Sequence, residues 1–317
     1  MQKNNMKIES VLLLGSDSIL GVALKSKLNL KYQIELFELT HVEIDCLNSI
    51  QLQDRIKKIS PDLAINVYSR GGGIGKNQRI PADLFMQNIM HDMYLLPFCH
   101  MADVKKYVNI LPNCIYPEEI TVPFKESDLW KGYPEETISY YAMTKKLTLV
   151  QSNAFHKQYN FNTINLIVTA TYGPDDTFDP QESQVIPSMI AKFAKAIESK
   201  SDRITFWGTG KATREFIYEE DAAEAILMSS FSYNDRMPLN ICTSEEISIK
   251  ELAKLISSKT GFNGEIRWDH NKPEGNLRKC LSNERLCKVI DFTPSTSITE
   301  GINKTIQGYY ERIENSK

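Results

Sequence analysis

The chain has 317 residues, of which 42% are hydrophobic and 24% charged, and its formal net charge at pH 7 is −3. This length allows one large hydrophobic core or two modest ones, and the composition is ordinary for a soluble globular protein. The small negative charge argues against nucleic acid as a partner, and no apolar run approaches the roughly 20 residues of a membrane span.

The six cysteines and five histidines show neither CxxC pairs nor regular metal-ligand spacing. This distribution favours reduced thiols over a disulfide set or a zinc site. The amino-terminal apolar stretch is short, lacks a cleavage site for secretion and is better interpreted as a first strand. We therefore expect a cytoplasmic protein that uses no metal.

The first half of the chain alternates between short apolar runs and segments with helical spacing. Strands are predicted at 11–15, 33–39, 62–69, 105–111 and 162–174, and helices at 19–28, 48–59, 81–100 and 141–160. Such alternation is typical of βαβ units. It predicts an α/β fold with a Rossmann-type doubly wound parallel sheet.

The regular alternation ends near residue 175. A helix is predicted at 186–199, mixed elements follow it, and the last fifty residues are expected to form only short elements. We predict a dinucleotide-binding domain at 1–175, with return segments near 215–245. A smaller α/β lobe at 176–317 would bind the substrate.

The sequence GSDSILG follows the first strand and opens the first helix. Gly15 would form the tight turn, and Gly21 would let the helix pack closely on the strand. Ser18 replaces the usual middle glycine, where it crowds a pyrophosphate but has a hydroxyl to donate to it. The amides of Ile19 and Leu20 would face the phosphates. The alternative is a plain strand-to-helix turn, but the βαβ context favours dinucleotide binding.

Two acids bear on the choice of cofactor. Asp17 lies in the turn, Glu38 lies near the end of the second strand, and no Arg or Lys occurs from 32 to 54. A carboxylate repels the 2′-phosphate of NADP, so the sequence slightly favours NAD(H) over NADP(H). The alternative is that both acids simply face solvent.

A tyrosine and a lysine are spaced to share one helix face. Tyr141 stands four residues before Lys145. A nearby ammonium would lower the phenol pKa, which would prepare Tyr141 to exchange a proton with a carbonyl during hydride transfer. The adjacent Tyr140 is interpreted as a packing residue.

Seven stretches of the chain match one known family: RGGGIGKNQRIPADLFMQN, CIYP, YYAMTKK, YGPDDTF, SQVIPSMIAKF, WGTGKATREFIYEEDAA and KPEGNLRK. Together they resemble the extended short-chain dehydrogenase/reductase family, to which the NAD-dependent epimerases and dehydratases belong. Within it they resemble the branch that epimerises GDP-4-keto-6-deoxymannose at C3 and C5 and then reduces it. The resemblance implies a GDP-linked keto sugar as substrate, a homodimer and a place in capsule or lipopolysaccharide pathways.

The resemblance also implies a set of residues around the nucleotide-sugar, namely Gln184, Val185, Lys192, Trp207, Arg214 and Lys279. Arg214 and Lys279 would contact the diphosphate, since guanidinium and ammonium groups suit phosphate. Their alternative role is ordinary surface charge.

Two positions depart from the family pattern. The serine of the family's Ser–Tyr–Lys triad is Pro112, and the neighbouring Asn113 is the candidate to replace its hydrogen bond. The family's epimerase cysteine is kept as Cys114, but its histidine partner is Gln184, which does not titrate. We expect epimerisation to be weak or absent, and a purely structural Cys114 is equally compatible with the sequence.

Three functions are compatible with the sequence. The first is an NAD(P)H-dependent C4-reductase of a GDP-4-keto sugar of the 6-deoxymannose or heptose type. The second is an NAD-dependent GDP-sugar 3,5-epimerase, which the stretch CIYPEEITVPFKESDLW also resembles. The third is a non-catalytic GDP-sugar-binding subunit.

Overall fold

The computed structural model describes residues 7–179, 182–272 and 275–315. Two residues of the KPEGNLRK stretch, 273 and 274, lie outside the described residues. The elements of the first half, in chain order, are β1 (Ser10–Leu14), α1 (Ile19–Lys31), β2 (Glu35–Leu39), α2 (His41–Cys46), α3 (Ser49–Ile59), β3 (Leu63–Asn66), α4 (Ile74–Arg79), α5 (Pro81–Met101), β4 (Lys106–Pro112), α6 (Ser139–Tyr159), β5 (Asn162–Val168) and β6 (Ala170–Tyr172).

The elements of the second half are α7 (Val185–Glu198), β7 (Arg203–Trp207), β8 (Thr213–Tyr218), α8 (Glu219–Ser232), β9 (Leu239–Ile241), β10 (Glu246–Ser248), α9 (Ile249–Thr260), β11 (Glu265–Asp269), β12 (Arg278–Lys279), α10 (Glu284–Val289) and α11 (Ile298–Asn315). Short 3₁₀ turns, at Asn113–Ile115, Glu126–Asp128 and Glu136–Ile138, connect β4 to α6.

Six strands form the main sheet in the order β2-β1-β3-β4-β5-β9, and every neighbouring pair is parallel. The chain moves from β1 to β2 on one side and then to β3 on the other, which puts a switch point at the carboxyl ends of β1 and β3. The predicted doubly wound α/β fold is therefore confirmed.

Both faces of this sheet are buried, as its apolar strands predict. Alternate residues of β1 belong to opposite cores: Val11 and Leu13 pack in one cluster, and Leu12 and Leu14 in the other. Helices α1 and α8 contribute to the first cluster, and α3 and α5 to the second. Helices therefore cover both faces of the sheet. Ligands of such sheets bind at the carboxyl edge of the strands.

The smaller sheet is centred on β8, which pairs with β10, β12 and β6. Strands β7 and β11 form a separate parallel pair. The predicted boundary between 1–175 and 176–317, with returns near 215–245, stays a prediction.

One expectation for the second half was wrong. The last fifty residues include the 18-residue helix α11, not only short elements. Its buried face is formed by Ile302, Thr305 and Ile306, which follow helical spacing within a sequence that is otherwise polar. Over the described ranges, no helix is both long and apolar enough to cross a membrane.

Candidate active site at the carboxyl edge of the sheet

The turn after β1 closes tightly against its neighbours. Gly15 adopts φ +84°, and a Cβ there would lie 2.8 Å from the Cα of Tyr68. A Cβ on Gly21 would lie 2.5 Å from the carbonyl oxygen of Gly15. Both positions therefore require glycine, for the conformation at the first and for helix packing at the second.

Ser18 caps helix α1 rather than reaching outward. Its hydroxyl accepts the Gly21 N–H at 3.1 Å and donates to the Gly15 carbonyl at 2.8 Å. The predicted hydrogen bond to a pyrophosphate is therefore replaced by one inside the turn. The amides of Ile19 and Leu20 fall in the first helical turn, where amides lack intrahelical acceptors. The turn fits a dinucleotide phosphate at those amides.

Asp17 is held by His41, the first residue of helix α2. Its Oδ1 accepts the backbone N–H of His41 at 2.7 Å and lies 2.6 Å from Nδ1 of the same residue. Burial alone would raise the pKa of Asp17, but the hydrogen bonds from His41 outweigh burial and lower it. Asp17 is thus an ionised carboxylate fixed beside the phosphate-binding turn.

Glu38 has a cation beside it, which the charge pattern of residues 32–54 did not indicate. It lies within β2, opposite Leu13, and its carboxylate is 3.0 Å from Nζ of Lys25. This lysine comes from helix α1, outside the range in which the sequence shows no Lys or Arg. Since Lys25 compensates the charge of Glu38, this acid no longer argues for NAD(H) over NADP(H).

The Tyr141 hydroxyl has a hydrogen-bond partner that the sequence analysis missed. Its oxygen lies 2.7 Å from Oγ of Ser69, which follows β3. A Cβ on Gly71 would lie 3.7 Å from the same hydroxyl, so the glycine-rich loop passes beside it. The adjacent Tyr140 side chain is 58% exposed and takes no part in this cluster.

Lys145 is buried and bound to other groups than the phenol. Its Nζ donates to Oδ2 of Asp92 at 2.8 Å and to the Tyr68 carbonyl at 3.1 Å. The predicted lowering of the Tyr141 pKa is wrong for this structure. Burial raises the pKa of Tyr141 above its usual range, nearby Cys114 adds to the rise, and the Ser69 hydrogen bond only opposes it. The Asp92 carboxylate offsets the ammonium charge that was expected to act on the phenol.

Cys114 lies in the 3₁₀ turn after β4 and is partly buried. Burial raises the pKa of its thiol to about 11, although the ammonium groups of Lys279 and Lys145 oppose the rise. Glu135 raises the pKa further, and this carboxylate lies 3.6 Å from Nζ of Lys279. Cys114 is therefore a neutral thiol at pH 7, beside an ion pair.

Neither residue before Cys114 supplies the missing serine hydroxyl. Pro112 ends β4 and has no donor. The side-chain amide of Asn113 donates to Oγ1 of Thr169 at 3.3 Å. The proposal that Asn113 replaces the serine is therefore not supported by its contact.

Four of the six predicted substrate residues belong to α7 and β7. Gln184 is the exposed N-cap of α7, and Val185 is its first residue. Lys192, further along α7, donates from Nζ to the Thr205 carbonyl, and burial lowers its pKa. Trp207 ends β7 with 57% of its surface exposed. In this structure Lys192 is thus bound to the neighbouring strand β7.

Arg214 and Lys279 are neighbours in the smaller sheet. The parallel register of β8 and β12 aligns them directly. Arg214 donates from Nη1 to the Thr213 carbonyl at 2.7 Å, and Lys279 pairs with Glu135. Two cations therefore lie side by side, and one of them is also close to Cys114.

Sequence reasoning missed Ser69, His41, Asp92 and Glu135. Ser69 is the last residue of the third predicted strand, and the carboxyl ends of parallel strands meet at one edge, so this signal was available. Asp92 lies in the middle of α5 without any motif around it. Its pairing with Lys145 depends on how α5 packs on α6, which no local pattern indicates.

The site can be compared with known proteins. A model described as "NAD dependent epimerase/dehydratase family" matches residues 9–241. The chain is 32% identical over 271 residues to the GDP-L-fucose synthase of Sinorhizobium fredii (strain NBRC 101917 / NGR234), covering 86% of each chain.

Solved structures share the whole fold. A GDP-L-fucose synthetase from Naegleria fowleri bound to NADP aligns with a TM-score of 0.86 at 24% identity, covering 98% of this chain and 96% of that one. A GDP-6-OMe-4-keto-L-xylo-heptose reductase from C. jejuni aligns with a TM-score of 0.90 at 22% identity, covering 99% and 100%. NADP in the first of these structures gives no support to the predicted preference for NAD(H).

Proposed function

Because the chain belongs to the NAD dependent epimerase/dehydratase family, we propose that it reduces the C4 keto group of a GDP-linked sugar with a nicotinamide cofactor. Membership confirms the resemblance drawn from the sequence motifs and the prediction of an NAD(P)-dependent enzyme. The sugar would be of the 6-deoxymannose type that the sequence motifs imply, or of the heptose type that the name of one solved structure gives.

The observation that carries this proposal is the position of the Tyr141 hydroxyl. It lies beside Ser69 at the carboxyl edge of β3, the edge at which the turn after β1 also ends. When bound, the nicotinamide supplies the hydride. Tyr141 would donate its proton to the keto oxygen, and its raised pKa keeps that proton in place until then.

The other residues would bind and orient. Amides of Ile19 and Leu20 would hold the cofactor phosphates, and Arg214 and Lys279 the sugar diphosphate. The buried Lys145 ammonium binds Asp92 on α5 and the Tyr68 carbonyl. It would thereby hold helix α6, which carries Tyr141, in a fixed position. These roles extend the residue assignments made from the sequence.

We propose that epimerisation is weak or absent. A thiol with a pKa of about 11 is an acid at neutral pH, so Cys114 can donate a proton but is poorly suited to abstract one. The amide of Gln184 cannot supply the missing base. Inversion of a carbon needs a base on one face and an acid on the other, and only the acid is identified.

The test uses the purified protein with GDP-4-keto-6-deoxymannose or a GDP-4-ketoheptose, and with NADH or NADPH. Consumption of the reduced cofactor, together with a product reduced at C4, supports the proposal. No consumption with either sugar and either cofactor contradicts it. Rates measured with NADH and NADPH side by side also decide the cofactor preference. This measurement is needed because Glu38 is paired with Lys25 and no longer argues for either cofactor.

The same assay separates the two other functions. A 3,5-epimerase would convert the sugar without net consumption of cofactor. A non-catalytic subunit would bind the GDP-sugar without turnover, and Tyr141→Phe would leave that binding unchanged. The contact between the Tyr141 and Ser69 hydroxyls favours the reductase over this third function, because a binding subunit has no need of it.

We further propose that the protein is a homodimer. Helices α5 and α6 pack side by side and expose large apolar side chains, namely Met86, Met90, Tyr94, Leu147 and Val150. Those on α5 recur every four residues, so they form one stripe along the helix. A second copy of the same stripe would cover this face.

A further inference from the structure

The serine hydroxyl that the family pattern places at position 112 is missing, but the hydroxyl of Ser69 lies beside the Tyr141 oxygen. We propose that Ser69 is a catalytic residue whose hydroxyl donates to the Tyr141 oxygen as that oxygen gives up its proton. The inference rests on the proposed reductase function. Ser69, just after β3, would supply the hydrogen-bond donor that Pro112, at the end of β4, cannot supply.

The contact itself is short and specific. Ser69 Oγ lies 2.7 Å from the Tyr141 oxygen, although the two residues are 72 positions apart in the chain. Burial makes a negative charge on Tyr141 costly, and in such surroundings one directed donor has a large effect on the charged form. Either oxygen can donate while Tyr141 keeps its proton, but once Tyr141 has given up its proton only the Ser69 hydroxyl has one to donate.

The backbone of Ser69 is fixed from the side of the phosphate-binding turn. Its N–H donates to Nε2 of His41 at 3.3 Å, and Nδ1 of His41 lies 2.6 Å from Asp17. Nε2 of His41 also lies 3.2 Å from the Ser69 carbonyl oxygen. The buried His41 therefore joins Asp17 to Ser69 and sets the position of the Ser69 hydroxyl.

The proton balance is simple. In the reducing direction the O–H bond of Tyr141 breaks, its proton forms a new O–H bond at C4 of the sugar, and the hydride comes from the cofactor. The negative charge stays on the Tyr141 oxygen, and Ser69 Oγ–H donates a hydrogen bond to it without losing its own proton. The phenolate then recovers a proton from water.

The first test is kinetic. We expect Ser69→Ala to lower kcat about 10²-fold, the usual loss for one such donor, with KM for the sugar nucleotide changed less than about threefold. Ser69→Thr keeps the hydroxyl and should restore most of kcat. Ser152→Ala is the matched control, because Ser152 is a fully buried serine on the same helix as Tyr141. A kcat for Ser69→Ala within about threefold of the wild type overturns the proposal.

The second test needs no substrate. Tyrosine labelled with ¹³C at Cζ gives one NMR signal per ring, and Tyr141→Phe identifies the signal of Tyr141. That signal should move in Ser69→Ala and stay in place in Ser152→Ala. An unmoved signal overturns the proposal whatever the rates. If the signal moves but the wild type reduces no GDP-4-keto sugar, the proposed function fails while the Ser69–Tyr141 hydrogen bond stands.

Discussion

Lys145 and Asp92 form a buried ion pair, with 2.8 Å between Nζ and Oδ2 and side-chain exposures of 2% and 1%. The pair joins α6, which carries Tyr141, to the middle of α5. Both charges lie in a low-dielectric interior, so each depends on the other for compensation.

Replacing Asp92 should therefore be costly. Asp92→Ala leaves the Lys145 ammonium buried without its carboxylate, and we expect the free energy of unfolding to fall by about 3–5 kcal/mol. Urea unfolding measures the change. The comparison is Glu300→Ala, which removes the exposed partner of Lys304 and should cost less than about 1 kcal/mol. Equal effects of the two substitutions would contradict the assignment.

The two adjacent tyrosines allow a matched pair of variants. Tyr141→Phe removes the proton donor, and kcat for the reduction should fall by about 10²–10⁴-fold. Tyr140→Phe alters an exposed ring one position away and should leave kcat within about twofold of the wild type. Steady-state rates with saturating cofactor measure both. Comparable rates for the two variants would rule out Tyr141 as the donor.

Stability should depend on pH through Glu219. This carboxylate is buried at the start of α8, and burial together with nearby Asp175 raises its pKa from 4.5 to about 8. Between these values the folded protein binds a proton that the unfolded chain releases, so stability falls as pH rises from 4.5 to about 8. Above that range the whole loss is present.

Glu219→Gln removes this titration, and we expect the variant to be more stable than the wild type at about pH 9 and little different near about pH 4. Urea unfolding at several pH values measures the slope. Glu245→Gln, at an exposed position just before β10, should keep the slope of the wild type. A slope unchanged in Glu219→Gln would show that other groups cause it.

The exposed stripe on α5 and α6 gives a test of assembly. Met90→Lys with Val150→Glu introduces charges into the apolar face and should convert a dimer into a monomer, measured by light scattering after size-exclusion chromatography. The control is Ile50→Glu, which changes an exposed apolar residue on α3. A wild type that is already monomeric would refute the proposed homodimer.

Epimerase activity can be followed by deuterium uptake from D₂O at C3 and C5 of the keto sugar. The wild type should exchange much more slowly than it reduces, because no base is identified opposite Cys114. Gln184→His adds a titrating group at the family's position and should raise the exchange rate, with Gln184→Asn as the uncharged control. Rapid exchange by the wild type would mean that another residue acts as the base.

Local rules predicted the parts of the site that depend on neighbouring residues. The apolar run of β1 and the glycines at 15 and 21 identified the turn, because strand, turn and helix are contiguous there. The spacing of Tyr141 and Lys145 correctly indicated one helix. Their partners were beyond such rules, since Asp92 and Ser69 come from α5 and the end of β3 and meet α6 only after packing.

The surroundings of Glu38 show the same division between local and distant partners. Counting charges between 32 and 54 describes one stretch of chain, whereas the cation beside Glu38 is Lys25, on the helix before it. The carboxyl-terminal helix α11 was missed for another reason. Its few apolar residues are diluted by polar ones, and only their period of three to four positions marks the buried face.

Because burial raises the pKa of the Tyr141 phenol, the resting enzyme already carries the proton that the reduction needs. The acidity of the surrounding medium then has little influence on the readiness of the resting enzyme. Reprotonation after each reduction is the more difficult step, because the Tyr141 phenolate must take a proton from solvent before the next turnover. Proton uptake from solvent is thus the step at which we expect the catalytic cycle to be slow.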